Sequence, residues 1–345
     1  VQFLVNGVVD QRSSARPGGF DATGPQENST YHIYPDLNVS AGVALEARWT
    51  DRTGAARSHQ LTVGVGPTQP QPPQSPQPPA PPTVTGDFPT YASTGPRVAY
   101  SQMKIHQGDF STSSNGQVID RMDIRGNLRI LHDNVTVRDT RVMMTHSYGL
   151  DIRPSGGSCP TGTLFEYIEV DGSNARDTDV AVYGEGCPWT LDRSRLHSFG
   201  ASIHVVRNNT VSNSYVHSSR GETADIHRNA IEHHGGYGNK IINNTLYCEG
   251  NGCSSALALY GAVASVQDML VQHNLLAATA GYCTYTGSVD YLKYPNGSNV
   301  RYIDNHFSTK YFPACGRAGA VEGSKAAVRG NVWQGNVWHE TGQPV

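Results

Sequence analysis

The sequence predicts an all-β protein whose larger part is a right-handed, single-stranded parallel β-helix. Three observations point there: a repeated octet, strand-forming residues in every copy, and an asparagine that falls in register near the end. The nine octets, each apolar at its third and eighth positions, are QVIDRMDI (117–124), VTVRDTRV (135–142), TLFEYIEV (163–170), WTLDRSRL (189–196), NTVSNSYV (209–216), NKIINNTL (239–246), MLVQHNLL (269–276), VRYIDNHF (300–307) and AAVRGNVW (326–333). Their third positions, Ile119, Val137, Phe165, Leu191, Val211, Ile241, Val271, Tyr302 and Val328, recur every 18 to 31 residues. A fixed register with insertions of variable length marks a solenoid. No copy can bury its apolar face alone, so neighbours stack to make the core.

The octets are rich in Val, Ile, Thr, Tyr and Asn, and glycine recurs between copies, so each reads as short strands and turns. Helical spacing is absent, which excludes ankyrin, tetratricopeptide and HEAT repeats. The leucine frame of leucine-rich repeats is missing, and propeller blades need about 40 or more residues per unit. One coil of a parallel β-helix, with three short strands, fits the spacing. Asn244, Asn274, Asn305 and Asn331 occupy the sixth position of the last four octets. Stacked amides there can hydrogen-bond along a ladder at a strand spacing of about 4.8 Å. The right hand follows from strand twist and the usual hand of parallel connections.

Residues 1–66 alternate like antiparallel strands (VQFLVNGVV, TYHIYP, GVALEARWT, SHQLTVGV), with a turn at Asp51–Gly54. VQFLVNGVV with LEARWTDRTGAARSHQLTVGV resembles the bacterial immunoglobulin-like domains carried as accessory modules by secreted carbohydrate-active enzymes and adhesins. The resemblance implies a partial immunoglobulin-like β-sandwich, because such domains have two more strands before the one matching VQFLVNG. An uncovered sheet edge beside that strand is expected, either from trimming upstream or awaiting a strand from another copy. Residues 67–84 are a linker, whose PTQPQPPQSPQPPAPP holds nine prolines. Such a segment forms extended polyproline II, a semi-rigid spacer of roughly 50 Å. Residues 85–345 are the β-helix, with 87–108 expected to cap its first coil and Trp333 and Trp338 its last.

The pattern HRNAIEHHGGYGNKIINNTL, followed by SSALALYG, VQDMLVQHNLL and GSNVRYIDNHF, resembles the pectate-lyase-like superfamily of right-handed β-helix proteins, especially its secreted bacterial members. The resemblance covers nearly all of 98–338 and implies a fold rather than an activity. The Asn-Thr-Asp, Asp-Asp, Gly-His-Gly and Arg-Ile-Lys blocks of polygalacturonases are absent, which argues against pectin hydrolysis.

Charge and cysteine content narrow the setting. A formal net charge of −3 with 16% charged residues offers no basic stripe for nucleic acid. No apolar run approaches the length of a membrane span. The chain opens at Val1 without a signal-peptide pattern, so a mature or trimmed form is expected. Six cysteines lie in the repeat region, none in a CxxC pair. Separations near one coil predict Cys159 with Cys187 and Cys283 with Cys315, while Cys248 and Cys253 would close a small loop. Disulfides imply a secreted, extracellular or cell-surface protein. Six N-x-S/T sequons (Asn28, Asn38, Asn134, Asn208, Asn243, Asn296) permit glycosylation without requiring it.

No HExxH, nucleophile elbow, P-loop or dinucleotide fingerprint is present. Candidate chemistry comes from the strands between the octets: GLDIR (149–153), VAVYG (180–184), SIHVV (202–206), AIEHHG (230–235), ALALYG (256–261) and CTYTG (283–287). With Leu150, Val180, Ile203, Ile231 and Leu257 inward, alternation turns Asp151, Ala181, His204, Glu232 and Ala258 outward. A second outward column is Arg153, Tyr183, Val206, His234 and Tyr260. The candidate catalytic residues are therefore His204, His234, Glu232, Arg153, Arg228, Tyr183 and Tyr260, with Asp151 and His227 as substrate contacts. Histidine and tyrosine exchange protons, arginine neutralises a carboxylate, and glutamate orients histidine or acts as a base. Metal binding by His204, His234 and Glu232, or calcium on Asp171, Asp177 and Asp179, is chemically open. The leading reading needs no cofactor.

That reading is an extracellular protein acting on a polysaccharide by β-elimination at a uronate, or by the related C5 epimerisation. The alternative is a non-catalytic structural or adhesive surface protein, an extracellular fibre subunit assembled by strand donation.

Overall fold

The computed structural model describes the backbone of strands Gln2–Val5, Val8–Val9, Ala44–Thr50 and Ala56–Thr62, and describes 88–154, 157–184, 186–221, 226–323 and 329–345 with their side chains. The chain forms two compact units, Val1–Pro82 and Thr83–Val345. In the first, the four strands make one antiparallel sheet in which Gln2–Val5 lies between Val8–Val9 and Ala44–Thr50. The edge expected beside VQFLVNG is thus occupied along Leu4 and Val5, which pair with Val9 and Val8 in a hairpin. The predicted strand 30–35, the 51–54 turn and the proline-rich linker lie outside the described residues.

The second unit is a parallel β-helix in which, among the described residues, three parallel sheets hold ten, ten and nine strands. Each octet spans a corner: its third residue sits in the first sheet and its eighth in the second. Ile119, Val137, Phe165, Leu191, Val211, Ile241, Val271 and Tyr302 pair in that order from coil to coil, and all are buried. The next partner is Trp333, not Val328, and Phe307 correspondingly pairs with Trp338. The ninth octet is therefore NVWQGNVW (331–338), five residues later than the sequence suggested. Trp333 stacks on Tyr302 at 5.4 Å and closes the core.

The fifth residue of every octet turns the chain from the first sheet to the second in the left-handed region, from Arg121 (φ 53) through Asp139, Tyr167, Arg193, Asn213, Asn243, His273 and Asp304 to Gly335 (φ 65). A single left-handed residue costs about 1–2 kcal/mol outside glycine, and the stacked coils on either side hold it there. The residue before the octet takes the same conformation at Asn134, Asn208 and Asn299. Three sequon asparagines, Asn134, Asn208 and Asn243, thus stand at corners where asparagine is favoured for conformational reasons.

The polar ladder runs further than the asparagines. Sixth-position side chains accept the backbone N–H of the preceding coil: Ser194 and Ser214, then Asn244, Asn274, Asn305 and Asn336. Asn336 replaces the expected Asn331. Asn331 instead accepts the Val300 N–H from the octet's first position, where Asn239 does the same for Asn209.

The stretch expected to cap the first coil does something else. Only Lys104–Gln107 joins that coil. Residues 88–102 run the length of the second sheet's outer face, from the last coil back towards the first. Phe88 packs on His273, His306 and His339, and Thr245 donates to the Pro89 carbonyl at 2.6 Å. Tyr91 meets His197 and Tyr215, Arg97 pairs with Asp139, and Tyr100 donates to Glu169. Polar side chains at octet positions seven and nine make this face a docking surface for the strap.

Disulfides join Cys159 to Cys187, Cys248 to Cys253 and Cys283 to Cys315, as the spacing predicted. Among the described residues no helix is long and apolar enough to cross a membrane.

Candidate functional site

The third sheet positions the candidate residues. Its register sets Arg129, Asp151, Tyr183, His204, Glu232, Ala258, Tyr285 and Glu322 side by side on successive coils. The expected alignment slipped at one strand. Leu150 pairs with Val182, not Val180, and Ala181 is fully buried. Valine at both 180 and 182 leaves that strand without a polar marker of its phase. The shift by two moves Tyr183 into the column beside His204.

Glu232 is the hub. It is buried, with Oε2 accepting from Ser202 Oγ and Asn229 Nδ2, both at 2.9 Å. Oε1 meets His204 Nε2 at 2.5 Å and His234 Nε2 at 3.3 Å. Burial alone would favour the neutral acid, but the two imidazoles outweigh it and hold the carboxyl well below the usual carboxylate range. The same hydrogen bond raises the His234 pKa against a smaller opposing effect of burial. His234 is 45% exposed and His204 22%. With both Nε2 atoms turned to Glu232, each Nδ1 is left for other chemistry.

Aromatic rings flank the hub. Tyr183 stands edge-on to His204 at 5.5 Å and stacks on Tyr148 at 4.4 Å. Tyr260 lies 5.7 Å from His234 and 4.8 Å from Tyr285. Burial, with Tyr285 and Glu232 nearby, pushes the Tyr260 pKa upward, and burial pushes Tyr285 up to about 12. Both phenols therefore stay protonated. His227 is exposed and meets Ser254 Oγ at 2.9 Å, and Ser254 also hydrogen-bonds Tyr260. Val206, in the expected second column, is half-buried.

Of the two candidate arginines, Arg228 differs from expectation. It does not lean over the face; it is fully buried. Its guanidinium donates to the Glu249 and Asn251 carbonyls and to Ser218, tying down the loop closed by Cys248–Cys253. A buried cation needs such acceptors, so Arg228 is structural. Arg153 is on the face, paired with Asp151 at 2.7 Å. Asp151 also takes Arg129 from the preceding coil at 3.1 Å, a partner the sequence reading missed.

Among the described residues, neither His204, His234 and Glu232 nor Asp171, Asp177 and Asp179 bring three ligand atoms within 4.8 Å of one another; only Glu169, Asp171 and His197 do. That trio lies on the second sheet and is closed by cations. Glu169 takes Arg195 and His197, both at 2.9 Å, and Asp171 takes Arg141 and Ser173. Burial opposes ionisation of Glu169, yet hydrogen bonds from His197, Arg195 and Tyr100 bring its pKa down to about 2. Its neutralised charges anchor the strap rather than a metal. The alternation Asp123, Arg141, Glu169, Arg195 at the seventh octet position was the available clue.

No protein-family model, curated protein or solved structure matches this chain.

Proposed function

We propose that the outward face of the third sheet acts on an acidic polysaccharide, by β-elimination at a uronate or by C5 epimerisation. One observation carries this reading: a single buried carboxylate, Glu232, fixes two partly exposed imidazoles side by side. One imidazole can remove a proton while the other, held as its cation by Glu232, donates one. Near neutral pH both forms are accessible to histidine. Glu232 itself, saturated by four donors, positions both rings and favours the charged form of His234 instead of serving as the base. Arg129 and Arg153, on either side of Asp151 two coils from His204, offer guanidinium donors to a neighbouring uronate carboxylate. Tyr183 and Tyr260 offer ring faces to a sugar and phenolic protons to a leaving oxygen.

The resemblance to pectate-lyase-like proteins and to immunoglobulin-like accessory modules supports the same setting, a secreted or cell-surface protein engaging a polysaccharide. Incubation with a panel of uronate polysaccharides tests it, reading absorbance of unsaturated products for elimination and hydrogen exchange at C5 for epimerisation. Activity that disappears in His234→Ala, at a pH and temperature where circular dichroism shows the variant fully folded, supports the reading. Inactivity across the panel favours the structural or adhesive alternative.

A further inference from the structure

On the last coils of the β-helix a second histidine group lies beneath Phe88, away from the central Glu232 hub and unused by it. His306 Nδ1 and His339 Nδ1, on the last two coils, face each other at 3.2 Å. His273, on the coil before, has its ring 6.0 Å from that of His306, and its Nε2 is buried without a hydrogen-bond partner. Phe88 stacks on His273 at 4.7 Å and stands edge-on to the other two rings.

We propose that His306 and His339, with His273 as a third arm, form a binding site for a borderline divalent cation such as Zn²⁺. Two imidazole nitrogens 3.2 Å apart match two ligands of one ion: at metal–nitrogen distances of about 2.0–2.1 Å they subtend about 100°. Without an ion the pair holds together by sharing one proton, and a cation replaces that proton directly. The orphan Nε2 of His273 gains a partner when its ring turns towards the pair. Imidazole-only donors select zinc, copper or nickel over calcium and magnesium. Phe88 supplies the apolar cover that limits solvent around such a site. The neighbouring Asp304 carboxylate acts electrostatically on both His273 and His306 and adds attraction for a cation. An ion here would clamp three successive coils and the start of the strap.

The test is titration of the full chain with ZnCl₂ at neutral pH, by calorimetry and by thermal shift. The expected result is a site of one ion per chain that raises the melting temperature. Affinity should fall about tenfold or more in His306→Ala/His339→Ala and also in His339→Gln, whose exposed side chain can change without disturbing the fold. His204→Ala/His234→Ala should retain the site, which separates it from the Glu232 hub. Absence of zinc binding overturns the proposal, as does undiminished affinity in His339→Gln.

Discussion

His204 and Glu232 occupy paired positions on adjacent coils, with Nε2 and Oε1 2.5 Å apart. The contact joins a candidate proton carrier to a carboxylate that is 7% exposed. Replacing Glu232 with alanine would leave Ser202 and Asn229 without their acceptor and both imidazoles without their anion. The expected cost is about 3 kcal/mol, read from the urea midpoint. Glu232→Gln, which keeps one acceptor oxygen, should cost less. Equal stability of Glu232→Ala and the parent would show that the hub is not held together by this carboxylate.

The raised His234 pKa sets a pH dependence. A histidine whose folded pKa lies above its unfolded value of about 6.5 stabilises fully below that value. The contribution is lost as pH rises through the folded pKa. The stability difference between the parent and His234→Ala should therefore be larger at pH 5.5 than at pH 8.5. Urea unfolding across that range measures it, and a difference that grows with pH contradicts the assignment.

Asn274 joins three coils. It accepts the Asn244 N–H, donates to the Ile241 carbonyl at 2.9 Å, and reaches Asn305 Oδ1 at 2.9 Å. Asn274→Leu is similar in size but orphans a buried amide and a buried carbonyl. A loss of about 2–4 kcal/mol is expected, read from the urea midpoint. Hydrogen exchange at the Asn244 amide should accelerate in this variant.

Removal of the Cys283–Cys315 bridge, which closes 32 residues, should cost about 2–4 kcal/mol. The Cys248–Cys253 bridge spans only 5, so its loss should cost less in chain entropy and act mainly by loosening the loop that Arg228 holds. Paired Cys→Ala variants compared in urea give the order, and peptide mapping without reduction checks the pairing.

Most of the β-helix was legible because burial at octet positions three and eight repeats against a polar background. It failed at the ninth copy, where AAVRGNVW and NVWQGNVW both satisfy the pattern. Aromatic pairing of Trp333 with Tyr302 and Trp338 with Phe307 decides for the second. The His204–Glu232–His234 grouping was visible from strand alternation alone. The phase of Val180–Tyr183 was not, since both phases bury a valine. Arg228 misled because its partners are backbone carbonyls of a loop, which carry no sequence mark. The strap was invisible for a different reason: its contacts, such as Arg97 with Asp139 and Arg195 with Tyr100, join residues 42 and 95 positions apart with no periodicity.

The strap changes how the molecule should come apart. An array bound only by neighbour contacts can fray coil by coil from either end while its middle survives. Residues 88–102 touch every octet from Asp139 on the second to His339 beside the last. Loss of a terminal coil therefore strips an anchor from a segment that also braces the centre, and partly unwound states lose their advantage. One sharp transition, the same by circular dichroism and by tryptophan fluorescence, is the behaviour this geometry imposes on a repeat architecture that would otherwise melt in stages.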